Sequence, residues 1–236
     1  MQIPDRSSEE SRPVLTWKDI MDWAQTHYRD RIFRKDEQIP VRPDLVYLVN
    51  QGAVRLVSET QNQDNDKLID SLESDPEFSE EIERTFLGFI PAGKPFEIVS
   101  HHSFSLQAYA HVDYTQVAWL YWNDIEKWPD FRQEIYSAFR DRHQRKLLWL
   151  SALGQRRTIE RLTSFLTLLV EEYGREDERE YCLPYSLTHA RIGSAIGSTR
   201  VTVTRLMGKL RRQGIISVKE DNSICISTLQ VTKGNR

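Results

Sequence analysis

The sequence predicts an α+β chain in three successive parts: a β-rich N-terminal half, one long helix and a C-terminal winged helix-turn-helix. Three observations carry this. Residues 187–214, LTHARIGSAIGSTRVTVTRLMGKLRRQG, hold six Arg or Lys and no acid, within a chain of formal net charge -3. Residues 131–153 contain neither proline nor glycine and are dominated by helix formers. Between about 45 and 122, apolar and polar side chains alternate in short runs broken by turn residues.

Residues 15–30 read as a short amphipathic helix, with Leu15, Ile20 and Trp23 on its apolar side. The run VRPDLVYLVNQGAVRLVSE gives two strands broken at Gly52, with Val46 and Leu48 in the first and Val54 and Leu56 in the second. Segment 59–83 carries ten acids and one lysine and reads as a long solvated loop that keeps this half off nucleic-acid phosphates. Strands resume in FLGFIPAGKPFEIV, where Pro91, Gly93 and Pro95 mark turns, and continue in SFSLQAYAHVDYTQVAWLYW. Asn123–Trp128 reads as a short helix.

In the long helix, Phe131, Ile135, Ala138, Leu148 and Ala152 form a broken apolar stripe, interrupted by Arg142 and Arg145. A small β domain cannot cover such a stripe, so a partner helix and a homodimer are expected. A second helix, Thr158–Tyr173, carries Leu162, Phe165, Leu166 and Leu169. The acidic run 171–180, EEYGREDERE, reads as a solvated loop. The chain closes with IISVKEDNSICI, a hairpin with Ile216, Val218, Ile224 and Ile226 on one face and Asp221-Asn222 at its turn. The expected units are therefore a sensor or effector unit over 1–129, a dimerisation helix over 130–157 and a DNA-binding unit over 158–236.

Within the basic stretch, Gly193 is small where two helices nearly touch, and Gly197 suits the left-handed turn between them. Ile192, Ile196, Val203 and Leu206 are spaced to fill the interhelical core. At about 100° per residue, Val203, Leu206 and Leu210 share the buried face, while Arg200, Val201, Thr204, Arg205 and Arg212 lie opposite. A basic helix exposed after such a turn points to the major groove of DNA, where arginine donates two hydrogen bonds to guanine. Thr202 and Lys209 border that face and suit phosphate contacts. Ser198 or Thr199 caps the second helix, Thr188 caps the first, and His189 beside it is placed for a phosphate. The expected DNA-contacting set is thus Thr188, His189, Ser198, Thr199, Arg200, Val201, Thr202, Thr204, Arg205 and Lys209.

Composition excludes several classes. No run approaches the roughly 20 apolar residues of a membrane span, and the polar start MQIPDRSSEESRP is no secretory signal. A cytoplasmic protein without membrane association is expected. Cys182 and Cys225 are the two cysteines, too few for a disulfide framework or a four-cysteine cluster, and they read as small buried apolar side chains in a reducing compartment rather than as a redox switch. His101, His102 and His111 with Glu97 lack metal-ligand spacing, because neighbours on a strand point to opposite faces. No phosphate-cradling loop, nucleophile elbow or two-histidine metal helix is present, so neither an enzyme, a metal nor a cofactor is expected. Trp119, Trp122 and Trp128 read as packing between the β-rich half and the long helix, and Arg142 and Arg145 as intrahelical pairs with residues such as Asp141.

The order of parts, the run YLVNQGAVRL (47–56) and above all IGSTRVTVTRLMGKLR (196–211) resemble the Crp/Fnr superfamily of transcription regulators. The second run is similar to the recognition helix of its NtcA-like, cyanobacterial nitrogen-control branch. The resemblance covers roughly residues 32–230. It implies a cupin-like β-roll of the cyclic-nucleotide-binding type before the long helix. It also implies Arg200 and Arg205 at guanine and backbone, RNA polymerase as a protein partner, and a palindromic GTA-N8-TAC-like site. Val201 stands where many members have a glutamate that reads cytosine. Cyclic-nucleotide binders of the family carry Phe-Gly-Glu and then Arg-Ser or Arg-Thr. This chain reads Pro95-Phe96-Glu97 and Phe104-Ser105, so cAMP loses its bidentate partner. Glu97, Ser105, Arg142 and Arg145 remain candidates for an effector of unassigned chemistry. The alternative function is an interaction or sensor protein that keeps the fold without binding DNA, for which Arg200 and Arg205 would be dispensable.

Overall fold

The computed structural model describes residues 16–60, 84–98, 104–177 and 180–227. Leu15, His101, His102 and most of the acidic segment 59–83 lie outside them. Helix α1, Trp17–Thr26, is fixed at its start by a capping box: the Thr16 amide donates to Asp19 Oδ2 at 2.8 Å, and the Asp19 amide donates to Thr16 Oγ1 at 3.3 Å. It buries Ile20, Met21 and Ala24.

Strands β1 (Asp30–Phe33), β2 (Gln38–Ile39), β3 (Leu45–Gln51), β4 (Ala53–Thr60), β5 (Arg84–Pro91), β6 (Lys94–Phe96), β7 (Phe104–Ala110) and β8 (Thr115–Tyr121) follow. They form two four-stranded antiparallel sheets, ordered β1-β8-β3-β6 and β2-β7-β4-β5. Tyr47 and Val49 turn inward with Phe33, Val54, Phe96 and Val117. Val46 and Leu48 turn outward onto α1. Both faces of β3 are thus covered, which is why LVYLV reads as continuous apolar sequence rather than as alternation. Gly52 turns β3 into β4 at φ 78°; a Cβ there would lie 2.5 Å from Thr115 Oγ1.

After a short helix α2 (Trp122–Ile125) comes α3, Pro129–Leu153. Proline in its first turn needs no amide partner. Its burial is divided: Phe131 and Ile135 pack under α1, while Trp149 and Ala152 are buried near its other end. Leu148, a member of the stripe expected to need a partner helix, is 54% exposed in the single chain, and Leu147, Leu150 and Tyr136 are exposed with it. The residue that packs inward is its neighbour Trp149, whose ring meets Phe165 at 5.2 Å.

Helix α4 (Thr158–Tyr173) buries Leu162, Phe165, Leu166, Leu169 and Val170. Strands β9 (Arg175–Asp177) and β10 (Glu180–Cys182), helices α5 (His189–Ile196) and α6 (Arg200–Arg212), and strands β11 (Ile216–Val218) and β12 (Ile224–Ser227) complete the chain. The described part of the run 171–180 is therefore the end of α4 and residues of two antiparallel strands, β9 and β10, joined to the wing in a sheet ordered β11-β12-β10-β9. Two of its acids have partners: Glu180 accepts from the Ser217 hydroxyl at 2.8 Å, and Asp177 pairs with Lys219. Periodicity missed this because three-residue strands are too short to show alternation.

The cysteine expectation also needs correction. Register places Cys182 directly opposite Cys225, and the two are joined by a disulfide. The sequence separation is 43 residues, and the chain-entropy model assigns on the order of 4 kcal/mol of stabilisation to closing such a loop.

One core runs through α4, the helix-turn-helix, the wing and β5: Phe86 and Phe89 share a cluster with Phe165, Ile192, Met207 and Ile226. Polar links cross the same seam. The Phe86 amide donates to Ser194 Oγ at 3.2 Å, the Tyr173 hydroxyl to the Phe89 carbonyl at 2.9 Å, and Arg191 lies 3.6 Å from Asp36.

Candidate nucleic-acid interface

The helix-turn-helix is built by local chemistry. Thr188 caps α5 by accepting from the Arg191 amide at 3.2 Å. Gly197 ends it at φ 63°, ψ 53°, and the Ser198 amide then donates to the Gly193 carbonyl at 2.9 Å. A Cβ on Gly193 would stand 2.6 Å from the Ser198 carbonyl oxygen, so this close approach requires glycine. Thr199, rather than Ser198, caps α6, accepting from the Thr202 amide at 3.2 Å.

The inner face of α6 is Val203, Met207 and Leu210, packed with Ile192 and Ile196. Leu206, expected in that core, is only partly buried. The steps 203, 207 and 210 follow the i, i+4, i+7 line, and Leu206 flanks it. The outer face presents Arg200, Val201, Thr204, Arg205, Lys209, Arg211 and Arg212, all exposed, and Val201 is 78% exposed. Thr188 and Thr199 are exposed at the two helix starts, while Ser198, Thr202 and His189 are half-buried.

His189 joins the two helices. Its Nδ1 lies 2.8 Å from Thr204 Oγ1, and that hydroxyl donates to the Arg200 carbonyl at 2.9 Å. The hydroxyl proton is thus committed to the backbone, so the imidazole must carry its proton on Nδ1. Burial, with a smaller contribution from the Arg200 charge, holds the His189 pKa below its ordinary value.

Three effector candidates, Glu97, Arg142 and Arg145, line two cavities beside α3; Ser105 does not, pairing instead with Glu59 in the β4–β7 ladder. The larger cavity, about 370 Å³, is walled by Phe89, Ile90, Lys94, Arg142, Arg145 and Tyr173, among others. Glu97 accepts from Trp122 Nε1 at 3.1 Å. Arg142 faces Glu172 and Tyr173 of α4 rather than Asp141 of its own helix, and burial lowers its pKa. Lys146, not singled out from the sequence, donates to the Leu87 carbonyl; burial, then the Arg142 charge, brings its pKa down to about 8.

His111 also differs from its expected setting. It is 2% exposed, wedged between the rings of Phe89 and Tyr185 at 4.7 and 5.8 Å, and its Nδ1 has no hydrogen-bond partner among the described residues. Among the described residues, the one group with metal-ligand proximity is Glu180, Cys182 and Cys225, whose donor atoms lie within 4.8 Å of one another. With the sulfurs bonded together it offers no thiolate. No helix among the described residues is long and apolar enough to cross a membrane.

Residues 160–231 match the model of the Crp-like helix-turn-helix domain. The global nitrogen regulator of Synechocystis is 34% identical over 94 residues, covering 40% of this chain and 42% of that protein. That of Nostoc is 41% identical over 71 residues, covering 30% and 32%. The chain thus spans well under half the length of these relatives. Among solved structures, a cyclic nucleotide-binding domain containing protein from Listeria monocytogenes superposes with a TM-score of 0.68 at 14% identity, over 90% of this chain and 98% of that one. A CooA mutant from Carboxydothermus hydrogenoformans gives 0.62 at 20% identity, over 88% of each. Motif, wing and roll agree with these likenesses: residues 160–231 form a Crp-like helix-turn-helix domain, similar to that of the global nitrogen regulators, and the chain shares the fold of the two solved structures.

Proposed function

We propose that the protein is a transcription regulator that binds duplex DNA as a homodimer, laying α6 of each subunit in successive major grooves of a GTA-N8-TAC-like palindrome. The observation that carries this is the outer face of α6, where Val201 stands 78% exposed between basic side chains and no acid interrupts the face. An apolar side chain so placed gains nothing from water, and it complements a thymine methyl in the groove. Arg200 and Arg205 supply guanine and backbone contacts. Thr188, His189, Ser198, Thr199, Thr202 and Lys209 supply phosphate contacts, and Thr204 holds the helix pair in register. The exposed Leu147, Leu148 and Leu150 on α3 supply the dimer seam. Expected units remain 1–129, 130–157 and 158–236, acting in the cytoplasm with RNA polymerase as partner and without enzymatic activity, metal or cofactor. cAMP is not the effector; Arg142 and Lys146 suit a smaller anion, since both bear charge disfavoured by burial.

The test is a competition gel shift with the palindrome and its single-base variants. Arg200→Ala should cost roughly 1–3 kcal/mol and relax preference at one guanine. Unchanged binding and unchanged preference in that variant would remove α6 as the reader.

A further inference from the structure

We infer that Cys182 and Cys225 form a reversible oxidation site, a dithiol that takes its disulfide bond from small-molecule disulfides and so sets the order of the wing; its effect on DNA rests on the function proposed above. Both cysteines of the chain are used, and they lie on adjacent strands at directly opposed positions, with Cα atoms 4.0 Å apart. All of α5, the turn, α6 and β11 lie between residues 182 and 225. The bond therefore encloses the whole helix-turn-helix in one covalent loop.

The wing's ladders are short, and besides the burial of Ile216, Ile224 and Ile226 in the common core the bond is its one covalent tie. β12 pairs with β10 over three residues and with β11 over three, and β9 outside β10 is exposed along its length. Strands so short open readily, and a covalent tie between the two inner ones removes that freedom. Cys182, Ser217 and Glu180 share one face of this sheet, since Cys182 and Ser217 each register opposite Cys225. Glu180 is a carboxylate within 4.8 Å of both sulfurs. Cys182 is 8% exposed and Cys225 wholly buried, so the outer sulfur is the one an exchanging thiol meets first.

The balance is that of thiol–disulfide exchange. The Cys182 thiolate attacks a disulfide RSSR and releases RSH; the Cys225 thiolate then displaces the second RSH from the mixed disulfide. Two protein thiols lose two electrons and two protons, and RSSR becomes two RSH.

The experiment equilibrates the full chain in buffers of graded oxidised-to-reduced glutathione ratio. Thiols are trapped by alkylation and counted by mass, and each form is assayed for amide hydrogen exchange in 216–227 and for affinity to the palindrome. Expected are conversion between zero and two alkylated cysteines within the series, faster wing exchange in the reduced form, and DNA binding weakened roughly five-fold. Cys225→Ser should match the reduced form whatever the buffer; because the reduced parent reports the same state, the test survives a variant that fails to fold. A bond that no ratio opens or closes, or equal wing exchange in both forms, overturns the inference. Equal affinity in both forms with unequal exchange removes its claim on DNA and leaves the DNA reading intact. Binding by neither form, with unequal exchange, sinks the DNA reading and leaves the oxidation site standing.

Discussion

His189 Nδ1 stands 2.8 Å from the hydroxyl of Thr204, so the first helix of the motif holds the outer face of the second. Burial, with a smaller contribution from Arg200, holds the pKa of this imidazole below its ordinary value in free protein. A phosphate nearby acts in the opposite sense, raising the pKa in the complex and coupling binding to proton uptake. Affinity for the palindrome should therefore rise as pH is lowered from about 8 to 6. His189→Gln should flatten that slope. Fluorescence anisotropy across the range checks this, and parallel slopes for parent and variant would exclude the phosphate contact.

In the proposed function, Val201 reads sequence and Lys209 holds phosphate. Val201→Glu should shift preference away from GTA half-sites, because a carboxylate accepts from cytosine N4 and cannot pack on a methyl. Lys209→Ala should weaken all sequences alike and lower the salt dependence by about one ion. Equilibrium binding at several salt concentrations distinguishes the two.

The exposed side of α3 sets a third test. Leu148→Glu should leave the subunit folded, since Leu148 is 54% exposed, and should shift sedimentation from dimer to monomer while weakening DNA binding. Ile135 is unsuited to this purpose, because it is 1% exposed in the subunit's own core and a charge there would unfold the chain. A Leu148→Glu protein still dimeric at micromolar concentration would exclude this seam.

His111 gives the chain an acid-sensitive joint. Its pKa is lowered to about 4, first by burial and then by the charges of Arg191 and Arg55. The unfolded chain takes up this proton at about 6.5, so native stability is complete above that pH. It falls on acidification by ~3 kcal/mol before levelling below the folded-state value. His111→Phe should flatten urea midpoints between about pH 6.5 and 4. An unchanged profile would place the acid sensitivity elsewhere.

Isothermal calorimetry with cAMP should show no micromolar binding. Pro95-Phe96-Glu97 lacks the turn glycine, and Ser105 lies in a ladder opposite Glu59 with no arginine before it. Measurable heat at that level would restore the nucleotide reading.

What was legible in the sequence was local. Gly193, Gly197 and the Thr188 and Thr199 caps act within a few residues, so motif, turn and capping threonines were readable from spacing. Helix α4 was readable because its stripe is complete. The failures are all contacts made at long range or at the edge of a face. Leu206 and Met207 sit on either side of a boundary that a helical wheel draws too coarsely. Cys182 meets Cys225 only because β10 and β12 choose one register. His111 and Lys146 carried no spacing signal, since their surroundings come from β4, β5, α4, α5 and the loop before α5.

Phe86 and Phe89 belong by chain order to the roll, yet they form one wall of the core beneath the helix-turn-helix. A fragment cut at residue 158 would present that missing wall to water as an apolar patch. Heat should accordingly melt the chain as one cooperative body, and the C-terminal piece alone should be sticky and marginal. Whatever signal reaches the β5 ribbon need travel no further to be felt by α5, because the two elements already share an interior.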